Sequence, residues 1–430
     1  MNTPPLIGRW ILAAAFVVIA VPAWADFAAG WAAYRAGDYA TAAEHWRPAA
    51  RRGDLDAIHD LAVLYETGRG VERDRDRALA LYHRAAQRRL AAAEFRLGQI
   101  YAGGIGVEPD PEKALDWYRK AAKRGFAEAR FNLGAAYEEG AGTVPDFGLA
   151  ARLYGEAAEQ GLAIAQYSLG RLYFEGRGVA KDLDQALAWY RRAAARGFAP
   201  AQNNLGFMYE NGIAVDRDIT QATTWYRRAA EGGFTLAQVN LGIMLSYGEG
   251  VVRDAGAAAR WYRAAAEAGD AEGQVHLALA LANGLGVERD LIAAQAWLLV
   301  ARASRTPTAA DATDYANRLA KRLGRVERTA ASRRAAEIAR RIAAKSVADA
   351  LPRARETAEF GAPALTAQRR LATLGYYSGI VDGIAGPGTR AAIRSFLRAN
   401  RSKLEARVSE PLIAALDAAI KARAQAPAGD

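Results

Sequence analysis

The chain has no cysteine, and among its 430 residues there are only three methionines and four histidines. The missing cysteine excludes disulfides, thiolate metal sites and a lipid-modified N-terminal cysteine. The histidines, His45, His59, His83 and His276, lie in different stretches, and no acidic or hydroxyl side chain recurs at a fixed offset beside them. They read as surface or packing residues, with no metal site implied. No H-E-x-x-H, phosphate-loop or nucleophile-elbow string occurs. The expectation is a protein with no catalytic residues, no metal and no small-molecule cofactor. A glutamate of raised pKa in a cleft is the one hydrolytic route that motif reading leaves open.

Long apolar runs are also scarce. One stands out, Trp10 to Val21, preceded by Arg9 and followed by the small residues Ala23 and Ala25 flanking Trp24. This pattern reads as a secretory signal, residues 1–25, cut after Ala25. The stretch from Trp10 to Ala25 contains Pro22 and falls short of the roughly 20 residues a membrane span needs. A soluble, periplasmic mature protein is expected. Charge of one sign is missing from most of the chain: before residue 306 there are 35 basic and 35 acidic residues, and after it 22 against 12. A basic tail suits nucleic acid, anionic lipid or anionic wall polymer. Export removes nucleic acid from that set.

What the chain does have is a repeat. A 36-residue pattern recurs without a gap in units beginning at Asp54, Leu90, Phe126, Leu162, Phe198, Phe234 and Asp270, ending at Arg305. In the Leu90 unit, Ala93, Leu97, Gly98 and Tyr101 share one helical spacing, and Ala114, Trp117, Tyr118, Ala121 and Ala122 another. The turn Gly104-Ile105-Gly106-Val107 lies between them, and Gly125 closes the unit. Because such glycines recur and follow a helix, they read as turns, not as phosphate loops. Asp182, Asp184, Asp216 and Asp218 sit where they favour the start of a second helix. The fold class expected is all-α: a right-handed α-solenoid of seven 36-residue helix-pair repeats, followed by a small three-helix domain. Residues 26–53 form an N-terminal tetratricopeptide-like cap, with helices at Phe27–Arg35 and Tyr39–Arg51. Residues 306–358 read as a helical cap and basic spacer, with helices near Ala310–Leu323 and Glu327–Leu351. The arginine run there, from Arg333 to Arg341, reads as a solvated helix face. Residues 359–425 form the small domain, and 426–430 a disordered tail.

The units resemble the Sel1-like repeat family. The Leu162 unit carries the pattern most fully, with Ala165, Leu169, Gly170, Tyr173, Gly176, Gly178, Val179, Trp189, Tyr190, Ala193 and Ala194. The Asp270 unit departs from it at Ala278, Leu281 and Leu298. This resemblance implies the superhelix and a protein-binding array without chemistry of its own.

Leu365 to Phe396, LTAQRRLATLGYYSGIVDGIAGPGTRAAIRSF, resembles the peptidoglycan-binding-like domain. The matching positions are Leu374 to Tyr377, Val381 to Ile393, and Phe396. The resemblance implies peptidoglycan as a partner, met by Tyr376, Tyr377, Asp382, Gly383, Thr389 and Arg390. The family's second glycine-bearing turn is replaced here by Ala399 to Glu405.

Within the array, the sixth, tenth and thirteenth residues of each first helix are placed on one face, opposite the core positions. That face would carry Phe95, Phe131, Tyr167, Arg171, Phe174 and Phe207, either as a groove for a protein partner or as braces between neighbouring repeats. The whole chain then reads as a non-enzymatic periplasmic scaffold binding peptidoglycan and a periplasmic or inner-membrane protein, in envelope organisation, morphogenesis or division. A regulator of a membrane sensor kinase is the alternative, and a cell-wall hydrolase a weaker one.

Overall fold

The computed structural model describes residues 23–304, 306–356 and 418. The expected signal residues before 23, and all six residues assigned to peptidoglycan, from Tyr376 to Arg390, lie outside them. Among the described residues every regular element is a helix, and none is long and apolar enough to cross a membrane. The contacts divide the chain into two units at Arg88.

The first unit contains α1 (Ala23–Arg35), α2 (Tyr39–Arg52), α3 (Leu55–Thr67) and α4 (Arg75–Gln87), each packed on the next. The fully buried Trp46 anchors its start, with the rings of Trp31 and Tyr34 at 6.5 and 5.7 Å. Asp38 caps α2 through the Thr41 amide, and the left-handed Gly53 ends it.

The second unit holds the helix pairs α5 (Ala91–Gly103) with α6 (Pro111–Lys123), α7 (Ala127–Glu139) with α8 (Phe147–Glu159), and α9 (Ala163–Glu175) with α10 (Leu183–Ala195). It continues through α11 (Ala199–Asn211) with α12 (Ile219–Glu231), α13 (Thr235–Tyr247) with α14 (Ala255–Glu267), and α15 (Ala271–Asn283) with α16 (Leu291–Arg302). Each helix packs mainly on its sequence neighbours, which is the contact pattern of a solenoid.

Local chemistry explains the regularity. Every second helix starts at an aspartate whose carboxylate accepts from the amide three residues on, as Asp182 does from Gln185 and Asp218 from Gln221, both at 2.9 Å. Every first helix of this unit ends at a left-handed glycine. The second glycine, present in every turn of this unit except the one with Ala214, has a different task. A Cβ on Gly178 would lie 2.2 Å from the carbonyl of Phe147 in the preceding pair, so glycine lets the turn seat there without displacing that backbone.

Past the array, α17 (Thr308–Ala320) and α18 (Arg325–Glu356) start two residues earlier than their spacing suggests, and α18 runs on to Glu356. Leu319 and Leu323, and Ile338 and Ile342, are buried as their four-residue spacing implies. α18 packs chiefly on α16, so the pairing rule of the array ends here. The arginine run is a solvated face: Arg333, Arg334, Arg340 and Arg341 are all exposed, and two of them make surface ion pairs, Arg334 with Asp290 at 2.9 Å and Arg341 with Glu267 at 3.8 Å.

Candidate protein-binding surface

Counting from the first residue of each unit, position 6 belongs to the core. Phe95 and Phe131 are each 6% exposed and Tyr167 is fully buried, so none of the three can line an open groove. Their rings pack on the second-helix tyrosines Tyr118, Tyr154 and Tyr190, with centroids 5.4 to 5.9 Å apart. Phe95 and Tyr167 also meet Phe126 and Phe198, the first residues of the next units, at 5.1 and 5.3 Å. They are braces between repeats, which corrects the groove assignment for these three positions.

Arg171 is also committed inside the array. Its guanidinium donates to both carboxylate oxygens of Glu138, at 2.6 and 2.8 Å, across neighbouring repeats. Glu138 is only 2% exposed and also accepts the Tyr154 hydroxyl at 2.9 Å. Burial, with the Glu138 charge beside it, holds that hydroxyl well above the usual phenol range, so it remains a donor. The same pair recurs as Tyr82 with Glu66 and Tyr226 with Glu210. Where position 13 is Ala102 or Phe174, the tyrosine turns instead to an asparagine of the next repeat, Asn132 for Tyr118 and Asn204 for Tyr190. Phe174 is half-buried, packed against the cluster of Tyr190 and Met208.

Of the six expected groove residues, only Phe207 is open to solvent, at 44%. The face actually presented by the first helices is rotated by about one residue, to positions 3, 7, 10 and 14. Along α11 and α13 it carries Phe207, Leu236, Ile243 and Tyr247, and Tyr247 is 74% exposed. Sequence reasoning missed Leu236 and Tyr247 because it chose the face from the aromatics at position 6. A usable signal was present: position 14 is polar in Glu139, Glu175, Asn211 and Asn283, and Tyr247 is the one large apolar residue on that row. An exposed apolar strip of this kind suits a partner's apolar side chains, and no group on it performs acid–base chemistry.

His276, the one histidine in the later repeats, stacks on Tyr262 at 4.8 Å and is half-buried. Among the described residues, no group of three or more His, Cys, Asp or Glu side chains is placed to hold a metal.

Comparison with known proteins agrees with this geometry. The Sel1 repeat model matches residues 32–54, 55–89, 91–126, 127–162, 163–198, 199–234, 235–270 and 271–303. That is eight matches where seven units were expected, because part of the segment read as a cap, 32–54, matches as a repeat itself. A second model, "Putative peptidoglycan binding domain", matches residues 361–409. No curated protein sequence matches the chain. Among solved structures, a Sel1 repeat protein from Oxalobacter formigenes is 31% identical, covering 69% of this chain and 87% of that one, with a TM-score of 0.57. A protective antigen of uropathogenic Escherichia coli strains, described as displaying an SLR fold, is 27% identical over 75% of this chain and 85% of its own, with a TM-score of 0.43. An immunity protein from Pseudomonas aeruginosa is 25% identical over 49% and 81%, with a TM-score of 0.34. With its paired helices, its aspartate-capped second helices and its glycine turns seated on the preceding pair, the chain belongs to the Sel1 repeat family.

Proposed function

We propose that the chain is an exported, non-enzymatic adaptor of the cell envelope, held to peptidoglycan by its C-terminal domain and recruiting a protein partner through its repeats. The observation that carries this reading is the presence on one chain of Sel1 repeats and a peptidoglycan-binding match. A signal-like N-terminus and an excess of basic residues confined to the C-terminal part support it, since wall polymers are anionic. The repeats supply the exposed strip around Phe207 and Tyr247 as a first docking surface.

The test is sedimentation of the mature chain with purified sacculi, beside a chain lacking residues 364–430. Retention of the full chain and loss of the shortened one is expected. Equal retention of both would sink the anchoring role, and release of soluble muropeptides would replace the adaptor with a wall hydrolase. In-cell photo-crosslinking from positions 207 and 247 should then capture one dominant envelope protein.

A further inference from the structure

A second concavity lies on the other side of the array, among the second helices, and it is built by departures from the repeat. Between α12 and α14 a cavity of about 650 Å³ has a floor formed by Leu245, Val251, Ala257 and Ala264 and the Trp261 ring. Arg227, Arg253 and Arg260 line it. Asp254 is the one carboxylate in the lining, and its Oδ1 already accepts the Ala257 amide at 2.8 Å to cap α14.

The equivalent places in preceding repeats are closed by their own side chains, whereas the following junction, with Arg263, Leu281 and Trp297, also opens as a cavity of about 520 Å³, walled on α18 by Arg334, Ile338 and Arg341. Arg119 donates to Tyr137 at 2.9 Å and Arg191 to Tyr209 at 2.8 Å. At the next step the tyrosine is replaced by Leu245, and Arg227 loses that partner. Likewise Lys120 covers Trp117 at 3.7 Å, Arg192 covers Trp189 at 4.4 Å, and Arg228 covers Trp225 at 4.6 Å. For Trp261 the covering position is Ala264, which leaves the ring face to the cavity. Arg260 adds a cation where the two repeats just before it have Thr224 and Ala188. Among the described residues neither Arg227 nor Arg260 has a carboxylate partner. The α12–α14 junction has therefore lost two internal partners and gained a positive charge, and no later helix walls it.

We propose that this groove is a docking site for an acidic segment of a partner protein, with carboxylates flanking one apolar or aromatic side chain. The apolar or aromatic side chain takes the place over the Trp261 ring that the cationic ends of Lys120, Arg192 and Arg228 fill over the tryptophans of other repeats. The carboxylates satisfy Arg227 and Arg260, whose planar donors match them in pairs. This deepens the adaptor reading, on which it rests, by stating the chemistry of the partner and a second face that receives it.

The test uses the full mature chain and a fluorescein-labelled hexapeptide, Glu-Asp-Leu-Phe-Asp-Glu, read by fluorescence polarisation. Binding at least about tenfold tighter than that of the isosteric Gln-Asn-Leu-Phe-Asn-Gln is expected, weakening as salt rises. The double variant Arg227→Glu, Arg260→Glu should lose about tenfold or more, and Trp261→Ala a comparable factor. Arg260 is exposed and Arg227 half-buried, so circular dichroism is used to check that the charge-reversed chain is folded. Equal binding of the two peptides, or unchanged affinity in the charge-reversed chain, overturns the proposal. If affinity falls instead with Phe207→Ser and Tyr247→Ser, the groove assignment fails while the adaptor reading stands. Loss of sacculus retention with peptide binding intact does the reverse. With benzoyl-phenylalanine in place of Val252, crosslinking to the peptide supports the site. Crosslinking to the chain's own residues 357–430, or to a second copy, overturns the partner assignment.

Discussion

Glu138 shows what a single residue can decide in a repeat protein. Its position recurs every 36 residues, yet its chemistry depends on Arg171, 33 residues away in the next repeat, and on Tyr154 beneath it. Removing Arg171 leaves the buried Glu138 carboxylate with only Arg177, 3.9 Å away, as a counter-charge. Arg171→Ala should therefore cost about 3–5 kcal/mol, and Tyr154→Phe, which leaves the arginine in place, only about 1–2 kcal/mol, both read from chemical denaturation. His276 offers a test by pH. Burial lowers its pKa below the ordinary 6.5, against a smaller opposing pull from Asp270. As pH falls the unfolded chain takes the proton first, so stability declines from about pH 6.5 through the lower folded value. Asp270 and Glu272, raised chiefly by burial, work in the opposite sense, gaining stability as pH falls. The subtraction of His276→Phe from the parent, by thermal unfolding at each pH, isolates the histidine: the variant should lack the decline between about pH 7 and 5. Neither partnership could be read from the chain alone, because a 36-residue period gives the spacing of residues and not which side chain turns toward the next unit.

At the scale of the element, the same substitution should have opposite signs at two helical glycines. A Cβ on Gly98 would sit 2.5 Å from the ring of the buried Tyr118, so Gly98→Ala should destabilise by about 1–3 kcal/mol despite better helix propensity. On Gly155 the nearest outside atom is 3.8 Å away, and Gly155→Ala should stabilise by about 1 kcal/mol. Thermal melts of the two single variants suffice. Ala214 supplies a third case: it holds φ of +56° at the place where Gly142, Gly178, Gly250 and Gly286 stand. Ala214→Gly should stabilise by roughly 0.5–1 kcal/mol, the left-handed cost relieved less the entropy gained by the unfolded chain. Elements of this kind were largely legible in the sequence, since an aspartate before an apolar stripe and a glycine after one act within a single turn of chain. The exit from the array was less so. Ile338 and Ile342 announce a buried stripe, but nothing local says that α18 packs on α16.

For the whole molecule, neighbour-only packing predicts tolerance to loss of an entire unit. Deleting residues 199–234, one matched repeat, should leave a folded chain with unchanged helicity per residue and a single melting transition. Deleting α12 alone should abolish cooperative unfolding, because α11 and α13 would lose the helix they share. Far-UV circular dichroism on heating distinguishes the two. What the sequence determined by itself was everything carried by short-range chemistry: the period, the all-helical class, the capped ends of each helix and the absence of catalytic strings. Tertiary structure decided which face of the first helices meets solvent. A shift of one residue turns a helix by about 100°, and only packing against the next tyrosine settles that Phe95, Phe131 and Tyr167 are braces while Phe207 and Tyr247 are surface. It also decided that Leu245 and Ala264, unremarkable as apolar residues in a list, leave Arg227 and Trp261 uncovered at one junction of the array.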